Sequence, residues 1–342
     1  MSSTTPHPTI ADVARQAGVS TATVSRVINK SGNVTADTIA RVQAAIAALD
    51  YAPHTGAQVL ASRRSQTIGL ITPTISDLFF TDLLRGIEQT VYEHNYTLLI
   101  HATQGRPYDD IVPSLPLNHH NTDGLIIFTN SVDDTRLQKL HQRRFPLVLL
   151  HRSPPAGTDI PCVTFENKDG AYQMTAHLLA CGYRRIAFLA GPAGNEDAHW
   201  REQGYREALA AHGLAVDPAL IVAGDFNAAV AATAVTHLLH THPDIQAIFA
   251  ADDESARGAL AAIQQSGRRV PQDMALAGFD DSLLSQYLQP PLTTVRAPIE
   301  AAGRAAAAQL IQLIHTGHAA PLTRLPTELV IRESCGWQHR SS

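Results

Sequence analysis

"TIADVARQAGVSTATVSRVIN", Thr9 to Asn29, decides how the front of this chain is read. Thr9 precedes an amphipathic run with Asp12 three residues on, a capping-box-like start with Asp in place of Glu or Gln. Gly18 supplies the left-handed residue that closes this first helix. Ser20 is placed to cap a second helix from Thr21 to about Ile28. Thr35 is placed to cap a third, whose apolar residues Ile39, Val42, Ile46 and Leu49 share one face. Val13, Ala17, Val19, Val24, Val27 and Ile28 complete a miniature core. Helix, tight turn with glycine, helix and a supporting helix predict an all-α helix-turn-helix head over residues 8–50.

The second helix carries Ser20, Thr21, Ala22, Thr23, Ser25 and Arg26 around its polar face. Arg26 is long enough for a guanine edge or a phosphate, and the hydroxyls of Ser20, Thr23 and Ser25 suit phosphate oxygens. Thr21 and Ala22 stand at the helix N-terminus, where base edges are usually read, although Ala22 offers little beyond contact with a thymine methyl. Charge points the same way. The 342-residue chain has net charge −5, yet residues 1–65 carry six Lys or Arg against three Asp or Glu, a net +3, leaving −8 for the rest. A basic head on an acidic body suits a polyanion-binding module joined to a larger unit. The competing reading, a solvated face of a ligand-free bundle, has to ignore that agreement of caps, turn and charge.

Residues 51–66, "YAPHTGAQVLASRRSQ", form a joint in which Pro53 and Gly56 end helical order. A short helix from about Gly56 to Ser62 is marginal alone, and Leu60 on it is an apolar side chain without a core. Two readings stay open: a linker with an incidental leucine, or a segment that folds on DNA and wedges Leu60 into the minor groove.

From Thr67 onward, apolar runs ("TIGLIT", "TLLIHAT", "GLIIFT", "PLVLLH", "RIAFLAG", "AIFAAD", "MALAGFDD") alternate with amphipathic stretches that end in glycine. That alternation predicts parallel sheets covered on both faces, and the chain breaks naturally near Cys162–Asn167 into two lobes. Ligands of open α/β sheets bind beyond the carboxyl ends of strands, here between the lobes. Polar residues at such ends are Asp77, His101, Thr129, His151, Asn167, Asp252, Asp253, Asp280 and Asp281. A carboxylate there accepts from two neighbouring sugar hydroxyls, Arg201 adds donors, and Phe79, Phe80, Trp200 and Phe226 suit the apolar face of a sugar ring. For any single residue, helix capping or local packing is an equal alternative; the set carries the argument. The three cysteines, Cys162, Cys181 and Cys335, have no CxxC spacing and read as buried thiols of a reducing compartment. The N-terminus lacks a signal-peptide pattern, and no apolar run approaches the roughly 20 residues of a membrane span. A cytoplasmic protein is expected.

On these residues the chain resembles the lactose/galactose-repressor family of bacterial transcription regulators, from about Thr9 to Gly336. The motifs that carry the resemblance are the opening stretch, the "YAP…L" joint, "FFTDLLRGIE", "GAYQMTAHLLACGYRRIAFLAGP", "REQGYREAL", "AGFDD" and "PPLTTVRAPIEAAGRAA". It implies a helix-turn-helix head on a periplasmic-binding-protein-like body of two doubly wound lobes, 67–165 with 298–325 and 166–297 with 326–338. It also implies a homodimer on a pseudo-palindromic operator of double-stranded DNA, with a small effector closing the cleft. Carried over, Thr21, Ala22 and Arg26, with Asn29 just beyond, read DNA and Leu60 is the intercalating leucine. Phe79, Arg201, Asp252, Asp280 and Phe226 match effector positions. Departures are His54 and Gln58 in the joint, where Asn and Arg are usual, and Asp252, His151 and Glu166, where Asn, Asp and Asp are usual. Extra carboxylates repel a phosphorylated sugar, and a purine needs more stacking rings, so a neutral sugar is the expected effector. Prolines at 107, 113 and 116 oppose the helix that the family has in 105–124. No leucine heptads follow "CGWQHRSS", which favours a dimer over a tetramer.

Two rival functions fit parts of the chain. A periplasmic-type sugar receptor has the same body but no use for the head. An enzyme would need more than "HLLHTH" (His237, His240, His242) and the Asp252-Asp253 pair, which read as a helix end and a helix cap. No P-loop glycine motif, GxSxG elbow or HExxH is present. No cofactor, metal site or catalytic residue is expected.

Overall fold

Thr9 opens α1 (Ile10–Ala17) with the expected reciprocal cap: its N–H donates to Asp12 Oδ2 (2.9 Å), and its hydroxyl oxygen accepts from the Asp12 N–H. Gly18, at φ 65°, ends the helix. Ser20 Oγ accepts from the Thr23 N–H (3.1 Å) at the start of α2 (Thr21–Ile28). Thr35 stands before α3 (Ala36–Leu49) but caps no backbone N–H, because its hydroxyl lies against that of Thr38, 2.9 Å away. Val13, Ala14, Ala17, Val24, Val42 and Ala45 form the head's core, with Val19, Val27, Ile28, Ile46 and Leu49 packed on it. Tyr51, read as the first residue of the joint, is buried there too. The computed structural model describes residues 8–28, 31–51, 64–76, 78–104 and 115–336. Asn29, His54, Gln58, Leu60, the 56–62 helix and Asp77 lie outside the described residues.

Residues 1–65 and 66–342 are separate units. The second is built on two six-stranded sheets. Its first lobe runs β1 (Thr67–Thr72), α4 (Leu78–Glu93), β2 (Thr97–Ala102), β3 (Gly124–Phe128), α5 (Asp134–Gln142), β4 (Leu147–Leu150) and β5 (Cys162–Phe165). The second lobe runs α6 (Asn167–Ala180), β6 (Ile186–Ala190), α7 (Glu196–Ala211), β7 (Ile221–Ala223), α8 (Ala228–Thr241), β8 (Ala247–Ala250), α9 (Asp253–Gln265), β9 (Ala275–Asp280) and β10 (Thr293–Arg296). The chain then returns through α10 (Ile299–Thr316) and β11 (Leu322–Leu325) to the first sheet, and ends with β12 (Glu328–Val330) in the second.

The first sheet, β11-β5-β4-β3-β1-β2, is parallel throughout. The second, β12-β10-β9-β8-β6-β7, is parallel except where β12 pairs antiparallel with β10. Strands such as "GLIIF" and "AIFA" are buried on both faces, which explains why they read as unbroken apolar runs. The chain crosses between lobes at 165–167, 296–299 and 325–328; only the first crossing was visible in composition. Residues 115–123 form turns held by Asn118 and Asn121 rather than a helix, while 105–114 lie outside the described residues. Among the described residues no helix is long and apolar enough to cross a membrane.

Candidate functional site

In the head, Ser20, Thr21, Ala22 and Arg26 are exposed, and Thr23 and Ser25 are half-buried beside fully buried Val24. One helix therefore turns its valine inward and presents short polar groups and one long cation outward. This is what reading a groove requires.

In the body, a cavity of about 580 Å³ lies at the carboxyl ends of the strands, walled by both lobes. The first lobe contributes Ser76, Phe79, Phe80, Phe128 and Thr129. Phe79 packs edge to face on Phe80 and Phe128, which are tilted against each other, with centroids 4.9–5.7 Å apart. The second lobe contributes Asn195, Asp197 and Arg201 from the start of α7, Phe226 from the loop before α8, Asp252, Asp253, Glu254 and Arg257 around the start of α9, and Asp280, Ser282 and Leu284 at and beyond the end of β9. One wall is aromatic and the opposite wall is rich in carboxylates.

Arg201 is the hub. It is 3% exposed, and its guanidinium donates to Asn167 Oδ1 (2.9 Å) and the Ala251 carbonyl (2.6 Å), pairs with Asp280 Oδ1 (3.1 Å) and lies 3.8 Å over the Phe279 ring. Asp252 caps α9 by accepting from the Ser255 N–H (3.0 Å), so it combines the capping role with a place in the cavity wall. Burial pushes the Asp280 carboxyl up to about 7, with Arg201 pulling it down and Asp252 and Asp197 pushing it further up. Burial likewise raises Asp252 to about 6 against the hydrogen bonds from Ser255. Asp253 is raised well above the usual range by burial and by Asp280, although Thr294 and Ser282 donate to it. Burial would raise Asp197 as well, but His151 beside it holds that carboxyl below its ordinary value.

Of the residues expected around the effector, Phe79, Phe80, Thr129, Arg201, Phe226, Asp252, Asp253 and Asp280 line the cavity. His151 and Trp200 do not, which corrects the sequence reading. His151 is 1% exposed and packs among Phe79, Phe128 and Phe165 behind the aromatic wall, its Nδ1 2.8 Å from Asp197 Oδ2. Trp200 precedes Arg201 on α7, and one helical step of about 100° turns it away from the cavity. Its indole donates to Glu196 Oε1 (3.3 Å) at the surface. Of the other strand-end residues, Asn167 positions Arg201, Asp281 holds Arg296 and Arg332, and His101 is half-buried away from the wall. His242 ends α8, 3.2 Å from Arg185, and gives the "HLLHTH" stretch its helix-end role.

Sequence reasoning missed Ser76, Phe128, Asn195, Asp197, Glu254, Arg257, Ser282 and Leu284. Asn195 and Asp197 had a signal, the cap and acidic first turn of α7 after "GPAG". A second feature had none. Thr129 (φ 44°), Phe226 (53°) and Asp280 (109°) in the cavity wall, and His151 (59°) behind it, all adopt positive-φ backbone. Non-glycine residues of this kind carry strain that concentrates at ligand sites.

Residues 9–54 match bacterial regulatory proteins of the lacI family, and residues 175–335 match a periplasmic binding protein-like domain. The chain is 36% identical over 339 residues to the HTH-type transcriptional regulator CelR of Thermobifida fusca, covering 96% of this chain and 98% of that one. A solved CelR–cellobiose complex matches at TM-score 0.70 and 33% identity over 96% of this chain and 99% of its own. The Lac repressor dimer bound to operator and the anti-inducer ONPF matches at TM-score 0.83 and 28% identity, again over 96% and 99%. These relatives are regulators, not receptors.

Proposed function

Because the chain belongs to the lacI family of bacterial regulatory proteins, DNA-binding regulators of transcription, we propose that it is a repressor controlled by a neutral sugar bound between its lobes. The carrying observation is the cavity's charge. Asp197, Asp252, Asp253, Glu254 and Asp280 face Arg201 and Arg257, and Arg201 is already paired with Asp280. A phosphorylated ligand would meet net negative charge, whereas a polyol donates hydroxyl protons to those oxygens and lays its C–H face on Phe79 and Phe80. The cavity's size and the cellobiose bound by the CelR relative make a disaccharide the first probe.

On DNA, the assigned roles are base reading for Thr21, Ala22 and Arg26 and phosphate contact for Ser20, Thr23 and Ser25. A homodimer on a pseudo-palindromic operator is supported by the Lac repressor likeness. It is also supported by apolar exposure at the open edge of the first sheet, where Leu99 and Ile100 on β2 and Tyr92 on α4 face outward. The switch is a two-state one: an effector acts only through its different affinity for the two lobe arrangements. A regulator of this kind works where the chromosome is, so we assign it to the cytoplasm, and we assign it no catalysis.

The test has two parts. An operator is selected in vitro from random DNA with the purified chain. Melting temperature is then scanned against cellobiose, other neutral sugars, sugar phosphates and nucleobases, since a ligand of the folded state alone raises it. The expected result is a shift with a neutral sugar that changes operator affinity and disappears in Asp280→Ala, while that variant still binds operator. A shift only with a phosphorylated sugar or a purine overturns the effector class.

A further inference from the structure

The second lobe holds a cluster that neither the DNA-reading face nor the cavity uses. His177 and Cys181 are four residues apart, so they share a face at the end of α6. Cys335 comes 158 residues after His177, in a 3₁₀ turn at Glu333–Cys335. The fold brings His177 Nε2 to 3.4 Å from Cys335 Sγ and 3.6 Å from Cys181 Sγ, and the three ligating atoms all lie within 4.8 Å of one another. Neither sulfur is in a disulfide.

From these distances we infer that His177, Cys181 and Cys335 form a binding site for a thiophilic divalent cation of the zinc class. A tetrahedral zinc with Zn–S of about 2.3 Å and Zn–N of about 2.05 Å separates its nitrogen and sulfur ligands by about 3.6 Å, so both N–S edges already have the required length. Imidazole with two thiolates selects zinc over the harder cations magnesium and calcium. Charge balance agrees with burial. Two thiolates and one divalent cation sum to zero, which suits sulfurs that are 4% and 0% exposed. His177 is half-buried, so its side supplies both the entry path and the fourth position, for a water molecule.

The sulfur on the late turn is positioned by groups outside the cluster. Tyr183 Oη donates to the Cys335 carbonyl (3.0 Å). Ser334 Oγ donates to the Leu276 carbonyl (2.6 Å) and accepts from the Thr293 N–H (2.8 Å). Ligands held in place by neighbouring bonds lose little freedom when the cation enters. The site's work is structural: it pins the 333–335 turn to α6, and through Ser334 to β9, the strand that ends in Asp280.

The experiment uses the full chain, untagged, purified with reductant and free of sugar and DNA, so its outcome is independent of the effector assignment. Zinc content is measured after desalting, and cobalt(II) is titrated into metal-stripped protein. The expected result is one zinc per chain and a thiolate-to-cobalt charge-transfer band that saturates at one equivalent. His177→Gln and Cys335→Ser each lose both, and zinc raises the melting temperature of the parent chain but not of these variants. The cobalt spectrum of the parent chain stands even where a variant folds poorly. Failure to retain zinc or develop the band overturns the site. So does metal binding unchanged in both variants, or a Cys181–Cys335 disulfide in freshly prepared metal-free protein.

Discussion

Asp280→Asn gives the most direct test of how the cavity is charged. In effector-free protein the Asp280 carboxyl sits at about 7, against an ordinary value of 3.8. Between those two values the native chain holds a proton that the unfolded chain has released, so stability is highest at low pH and falls as pH rises toward 7. Integrated from pH 5 to pH 8, Asp280 alone removes about 3 kcal/mol, and Asp252, at about 6, removes about 1 kcal/mol more. At roughly 2–4 °C per kcal/mol, the Asp280 share is roughly 6–12 °C of melting temperature. Parent and variant are melted in matched buffers from pH 5 to 8, and the readout is the difference in slope. Loss of the 3.1 Å pairing with Arg201 shifts the variant's curve at every pH, which leaves the slope to report titration. The slope should flatten by the Asp280 share, leaving what Asp252 and the likewise raised Asp253 contribute. Parallel curves would refute the assignment of a buried, proton-binding carboxyl. The same linkage governs the ligand: a sugar that donates two hydroxyls needs the ionised form, so its affinity should rise about tenfold from pH 6 to 8 in the parent chain, against at most about twofold in the variant.

Arg26→Ala should lower discrimination at one operator position by about 1–3 kcal/mol if the guanidinium reads a guanine edge. Unchanged preference across operator variants, with a salt dependence weakened by about one charge, would make Arg26 a phosphate contact instead. Leu99→Glu on the exposed edge strand should turn a dimer into monomers in sedimentation velocity and weaken operator binding with it; a persisting dimer would move the interface elsewhere. Gly303→Ala would set a methyl 2.3 Å from the Leu83 carbonyl oxygen on α4, which only a shift of two packed helices relieves. About 1–3 kcal/mol of stability should be lost in urea unfolding, and a neutral result would mean that α4 and α10 separate without cost.

What was legible in the sequence follows from signal length. Seven strands were readable because each is an apolar run of four to six residues, six of them largely buried on both faces and β2 apolar but exposed at the sheet edge. The strands β5, β10 and β11 have four residues broken by Thr or Arg, and β7 and β12 have only three, so no apolar run stands out. Two of the three lobe crossings fall among those short pieces, and the family resemblance rather than composition gave them. Eight cavity residues were found because strand ends, ring chemistry or the family motifs pointed to them. His151 misled because a strand-end position does not say whether a ring faces the ligand or the aromatic wall behind it. Trp200 misled because its neighbour Arg201 was the inward residue. The thiol–imidazole cluster was invisible because 154 residues separate its two cysteines along the chain, and only the fold closes that gap.

The arrangement also explains how a ligand of modest size can bias two lobes. The cross-lobe contacts converge on the first turn of α7 and the loop before it. His151 of the first lobe meets Asp197 (2.8 Å), Ser153 donates to Glu196 through its N–H and its hydroxyl (2.5 Å each), and Asn130 donates to the Gly194 carbonyl (2.9 Å). Arg201 lies one turn further along the same helix, paired with Asp280 in the cavity wall. Helix α7 is thus gripped by the opposite lobe at its start and by the cavity one turn later. The contacts from the opposite lobe differ in strength among themselves. The Ser153–Glu196 bonds are exposed and worth little in water, whereas His151 and Asp197 are buried, where a charge-assisted pairing resists opening more strongly. A ligand that draws Arg201 and Asp280 into new hydrogen bonds therefore acts on the element that holds the lobes together. The shift it produces is bounded by its own difference in affinity for the two arrangements.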